Sequence, residues 1–463
     1  MRAKKHAMYM WMLLGGLAIL TWSEFAGAKE VKLCTHWVAE YVDSGGPGGG
    51  AGHEDVFWQE GPVNRPAAFT NFILLKKNGS GVYGLVDSGF LDSEGCSELI
   101  DMEAGGEYQF RQGTWAGRSD GAAVYVVPDS APWGYSFVRL ISYFNVVDDF
   151  ESTTGTTMEL KPTWLSPKAN IMPVAGRALM ERFKHPAGEK TLIRTADDCY
   201  LGATWGGLYN KWSCPSPLTS ADGCICAYSS LTSDEDKKAM SAGAYFKYGL
   251  GHEIGHRVAR GQGFPFDTDY DDIVSSYHEC TCDEVDVADG SKKHCFQSME
   301  TIGVSAAEGI AHFFAAALFN RRDDGAEGCW YSYCKQGWSW VDGVADPVLV
   351  DDPPVWHNCT HTEAPVSWLE TYCLDGLNED AGTEADWLSF FWLLYTDDLG
   401  EPGDLRYTFT DIFSLLDELS SSWDWPEFRQ KAHDLWFATN PDKYYNLVDH
   451  ATTAGVAHCS GGC

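Results

Sequence analysis

The chain has 463 residues, 44% of them apolar and 14% aromatic, so it can bury a sizeable core and is too apolar to stay unfolded. Its 33 Lys and Arg against 66 Asp and Glu leave a formal net charge of −33, which repels nucleic-acid backbones and anionic membranes and argues against both as partners.

Residues 1–28 read as an address. Arg2, Lys4 and Lys5 precede an apolar run from Met8 to Trp22 that ends in Ala26-Gly27-Ala28, the order of a cleaved secretory signal. A membrane anchor is the rival reading, and the run is short for one. No later stretch reads as long and apolar enough to cross a bilayer, so no membrane partner is expected after cleavage. All fifteen Cys follow the leader. In an oxidising compartment most should be disulfides. Cys34 and Cys96, the only two before residue 190, are a candidate pair. The odd total leaves at least one thiol free or paired between chains. The pairs Cys224/Cys226 and Cys280/Cys282 read as parts of separate disulfides in preference to thiolate metal ligands.

Residues 29–165 have the texture of strands. Phe72-Ile73-Leu74-Leu75 and Ala123-Val124-Tyr125-Val126-Val127 are bounded by turn formers, and Lys76-Lys77-Asn78-Gly79 reads as a hairpin turn. The Gly-rich segment Ser44–Gly50 reads as a flexible tip. An all-β sandwich is expected here. From about residue 166 helical patterns take over: Met172–Phe183, a helix from Ser233 to about Val258, Ser298–Asn320, Trp387–Leu394, Phe409–Leu419 and Trp425–Phe437. Asn78-Gly79-Ser80 and Asn358-Cys359-Thr360 fit the glycan-acceptor pattern, a weak signal.

The second helix carries His252-Glu253-Ile254-Gly255-His256. Two His four apart project from one helical face and can grip a Zn²⁺, with Glu253 placed to take a proton from water that the ion has acidified. The bland alternative is a surface helix with incidental histidines. Further on, Asp267, Asp269, Asp271 and Asp272 offer oxygen ligands to a Ca²⁺, although a solvated acidic loop is the simpler reading.

The motif resembles that of zinc metallopeptidases of the zincin superfamily, over about a fifth of the chain. A third His six residues past the second, as metzincins have, is missing, since Gln262 stands there and Ala259 replaces the expected Gly. The downstream Asp pattern of aspzincins is absent too. Ser305-Ala306-Ala307-Glu308-Gly309-Ile310-Ala311-His312-Phe313-Phe314 resembles the helix on which gluzincins carry a Glu ligand. The resemblance therefore implies His252, His256 and Glu308 as ligands and Glu253 as general base. His312 departs from the Asp that some gluzincins carry at its spacing. It reads as a partner of the ligands, a substitute ligand, or a packed core residue. His357, His361 and Tyr395 are candidate oxyanion donors that nothing in the sequence ranks.

The expectation is a multidomain protein: signal peptide 1–28, all-β sandwich 29–165, and a mainly helical α+β zincin-like domain 166–463. Its function would be a secreted zinc endopeptidase acting on a protein or peptide substrate. A non-catalytic extracellular binding protein that keeps a zincin fold is the alternative. A glycan-binding or glycan-cleaving protein is a further rival, resting on 19 Trp and the acidic balance. Oligomeric state is left open.

Overall fold

The computed structural model describes residues 28–41, 62–128, 144–151, 156–162, 167–180, 190–196, 208–211, 224–228, 244, 247–261, 300–320, 322, 338–341, 344–347, 381–396, 405–420 and 423–456. The expected signal segment up to Gly27, the Gly-rich tip, the start of the second helix near Ser233, the Asp267–Asp272 run, His357, His361 and Asn358 lie outside these residues.

The N-terminal part is β-rich. A three-stranded sheet joins β1 (Ala28–Cys34) to β6 (Cys96–Glu103) on one side and β10 (Thr157–Glu159) on the other. Cys34 and Cys96 face each other across β1 and β6 and form the expected disulfide. A short ladder pairs β2 (His36–Ala39) with β3 (Val63–Pro66). β4 (Thr70–Lys77) and β5 (Tyr83–Phe90) form a hairpin at the expected turn, where Asn78 Oδ1 accepts from the backbone of Ser80 and Val82.

β4 and β5 belong to an eight-stranded mixed sheet. β7 (Glu107–Gly117) pairs antiparallel with β4, with β8 (Ala123–Pro128) and with β9 (Phe144–Glu151). The sheet then continues past residue 165. β11 (Lys190–Ala196) lies parallel to β8, and β13 (Cys224–Tyr228) parallel to β11. β12 (Leu208–Lys211) closes that end as an antiparallel edge. The boundary expected near residue 165 thus falls inside one sheet. Parallel strands need a crossover connection, and α1 (Pro167–Ala178) lies in the one between β8 and β11, packing on β7 and β8. α1 starts five residues before the expected Met172 because Pro167 can open a helix without losing a backbone bond.

The C-terminal part is helical. α2 (Lys247–Gly261) carries the His-Glu-x-x-His motif, and α3 (Ile302–Phe319) carries Glu308. Two-residue strands β14 (Glu300–Thr301) and β17 (Ala381–Gly382) pair directly before α3 and α4 (Glu384–Thr396). β15 (Trp338–Val341) and β16 (Val344–Pro347) form a separate ladder. α5 (Phe409–Asp417) starts with a capping box of Thr408 and Asp411, and α6 (Trp425–Trp436) is capped by Asp424. α7 (Pro441–Thr453) was not expected from the sequence, although Asn440 caps it and Pro441 opens it.

Every residue of α3 is buried. Among the described residues it is the one helix long and apolar enough to cross a bilayer, contrary to the expectation that no such stretch exists, and its complete burial marks it as the core helix of the molecule.

Candidate metal centre

α2 and α3 approach closely because small residues face each other. Gly251 lies against Ala315, and Gly255 against Ala311. A Cβ at position 255 would sit 2.9 Å from Ala311 Cα and 3.0 Å from its carbonyl oxygen, so only glycine permits this separation. Glu308 lies on α3 one turn before Ala311. The contact therefore sets its carboxylate against the histidine face of α2.

Three donor atoms converge there. His252 Nε2 is 3.0 Å and His256 Nε2 is 3.3 Å from Glu308 Oε2, and the two Nε2 atoms are 3.1 Å apart. All three side chains are buried. A tetrahedral Zn²⁺ with bonds of about 2.0–2.1 Å spaces its ligand atoms roughly 3.3–3.4 Å apart, so the triangle has the size that such an ion needs. The donor set of two imidazoles and one carboxylate also suits zinc and leaves a fourth position open. A buried carboxylate gains from a cation at the centre it shares with the two rings. The sequence-expected ligands His252, His256 and Glu308 are thus brought together.

Glu253, also buried, follows His252 on α2, about 100° round the helix axis, and is not one of the three converging donors. Tyr395 lies eleven residues beyond Glu384 on α4, about 16 Å along the axis. It is packed among Phe313, Trp392 and Phe409, where it builds core.

His312 adjoins the triangle. Its ring centroid is 4.2 Å from that of His252, and one of its nitrogens lies within 4.8 Å of donor atoms of His252 and Glu308. His252 and Glu308 could thus be grouped with His312 as well as with His256, and the set with His256 has separations of 3.0–3.3 Å. His312 Nε2 is 3.0 Å from Glu384 Oε2. Burial, with His252 alongside, pushes the imidazole down to about 4, while Glu384 and Glu308 pull the other way. The ring is therefore neutral at physiological pH. Tyr248 donates its hydroxyl to the His312 backbone carbonyl at 3.1 Å, and burial pushes that phenol up.

Glu384 is the site-adjacent residue that sequence reasoning missed. Its one visible signal is an acidic residue directly before an apolar helical run. The chain matches no protein-family model, no curated protein and no solved structure.

Proposed function

We propose that the chain is a secreted zinc-dependent endopeptidase with a zincin-like helical part, in which His252, His256 and Glu308 hold the metal. The observation that carries this reading is the triangle of His252 Nε2, His256 Nε2 and Glu308 Oε2, with sides of 3.0–3.3 Å. Zn²⁺ bound there would supply Lewis acidity towards a carbonyl oxygen and make water a stronger acid near neutral pH. Glu253 is the chain's own contribution to the proton chemistry: its carboxylate takes a proton from the attacking water and returns it to the leaving amine nitrogen. Glu308 Oε2 and the Nε2 atoms of His252 and His256 would hold the ion.

A peptide substrate is supported by β12. This strand forms the edge of the mixed sheet and contacts α2. An edge strand offers unpaired backbone donors and acceptors to an extended peptide. Secretion is supported by the leader pattern together with the Cys34–Cys96 disulfide.

The test is digestion of a diverse peptide library by the mature, zinc-loaded protein, read by mass spectrometry. Glu253→Ala should lower turnover by about 10²–10⁴-fold with bound zinc unchanged, because Glu253 is not a ligand. Glu308→Gln should weaken zinc binding itself. Cleavage that persists unchanged in Glu253→Ala, or a wild-type protein that retains no zinc, would overturn the proposal.

A further inference from the structure

The buried polar chain at the metal centre runs beyond its three proposed ligands. His312 follows Glu308 by one turn on α3, and Glu384 opens α4, 72 residues further along the chain. Two features bring them together. β14 pairs with β17 in the register Thr301↔Ala381, so α3 and α4 begin side by side. Gly309 then lets α4 close in, since a Cβ there would lie 2.3 Å from Trp387 Cβ and 3.1 Å from the Glu384 carbonyl oxygen. The resulting contact between His312 Nε2 and Glu384 Oε2 is 3.0 Å long, with both side chains no more than 3% exposed.

A carboxylate only accepts hydrogen bonds. His312 Nε2 is therefore the donor to Glu384 Oε2 across the 3.0 Å contact. The ring is held in one tautomer and one orientation, packed against His252 and close to Glu308.

We propose that Glu384 is a positioning residue for the divalent cation, acting through His312 to hold His252 and Glu308 in their ligating geometry. The inference rests on the metal reading above. It concerns the affinity and coordination geometry of the ion, which a pair that merely packed the core would leave unaltered. Partners behind metal ligands typically contribute about 10–100-fold in affinity.

The experiment measures zinc affinity by chelator competition, and the visible absorption of the Co²⁺-loaded protein, for wild type, Glu384→Gln, His312→Gln and the double variant. Glu384→Gln keeps the side chain's size but removes its charge, and its amide can donate to Nε2 and invert the tautomer. The expected result is about 10–100-fold weaker zinc binding in each single variant, with an altered Co²⁺ spectrum. The double variant should bind no more weakly than His312→Gln alone, because Glu384 acts through that ring. Folded single variants with wild-type affinity and spectrum would overturn the inference, and so would fully additive losses in the double variant. His312→Gln supplies the decision if Glu384→Gln does not fold. Absence of zinc binding in the wild type would instead remove the metal centre itself.

Discussion

Asp386 is a costly charge in the described core. It sits in the first turn of α4 with no solvent exposure, and its carboxylate oxygens make no well-formed hydrogen bond among the described residues. Its backbone N–H is the group that Thr383 Oγ1 caps, at 3.2 Å. Burial pushes the carboxyl up to about 7, against an ordinary 3.8, and Thr383 offsets part of that rise. Between these two values the folded protein holds a proton that the unfolded chain has released. The contribution of Asp386 to stability is therefore complete below about pH 4, declines as pH rises, and is lost above about 7. Asp386→Asn keeps the shape of the protonated acid. It should match wild type near pH 4 and exceed it at pH 8 by something on the order of 2–4 kcal/mol. Urea unfolding of both proteins across that range checks this, since taking the difference cancels the other titrating groups. Equal stability at pH 8 would show that the charge is solvated or paired.

At the scale of elements, the centre depends on how closely α2 and α3 pack. Gly255→Ala places a methyl group against backbone atoms of Ala311 that cannot swing aside. Overpacking of this kind costs about 1–3 kcal/mol, and here the helices must part where the donor atoms meet. The expected outcome is a lower melting temperature together with weaker zinc binding. A melting loss at unchanged zinc affinity would mean that the strain relaxes away from the donors.

The sequence made α2 and α3 legible for different reasons. A spacing of four with an intervening Glu is a chemical signature, and a long apolar run containing a single acid stands out in any window. The contact between His312 and Glu384 was not legible. It depends on a pairing of two residues against two, β14 on β17, far too short to leave a pattern. α7 carried a readable start in Asn440 and Pro441, but its face towards the core is narrow, with five buried residues among thirteen, so periodicity alone was weak. The sheet's continuation was hidden because β11 and β13 lie far from β8 in sequence and join the sheet by parallel pairing, which no local turn signals.

At the scale of the molecule, the β-rich and helical parts share one hydrophobic core. Trp37, Phe72, Phe110 and Val124 belong to the same buried cluster as Ile193, Ile225, Tyr248 and Leu250. Polar bonds cross the same boundary. Tyr41 donates its hydroxyl to the Asn170 carbonyl at 2.6 Å, and the Glu40 N–H donates to Asn170 Oδ1 at 2.9 Å. From α1, Arg177 Nε donates to the Leu318 carbonyl on α3 at 2.9 Å, which ties the crossover helix to the helix bearing Glu308. A removable N-terminal segment would need a boundary that few such contacts cross. Removal of residues 29–165 would instead expose β11 along the edge that β8 covers, strip α1 of the strands beneath it, and leave Ile193 and Ile225 without part of their packing. A fragment of residues 166–463 should therefore fail to fold and should bind zinc far more weakly than the full chain. The full chain should unfold in a single calorimetric transition that zinc moves upward, because the ion binds the folded state alone. Two separate transitions, or a fragment with native zinc affinity, would show that the helical part holds its metal centre without the sheet.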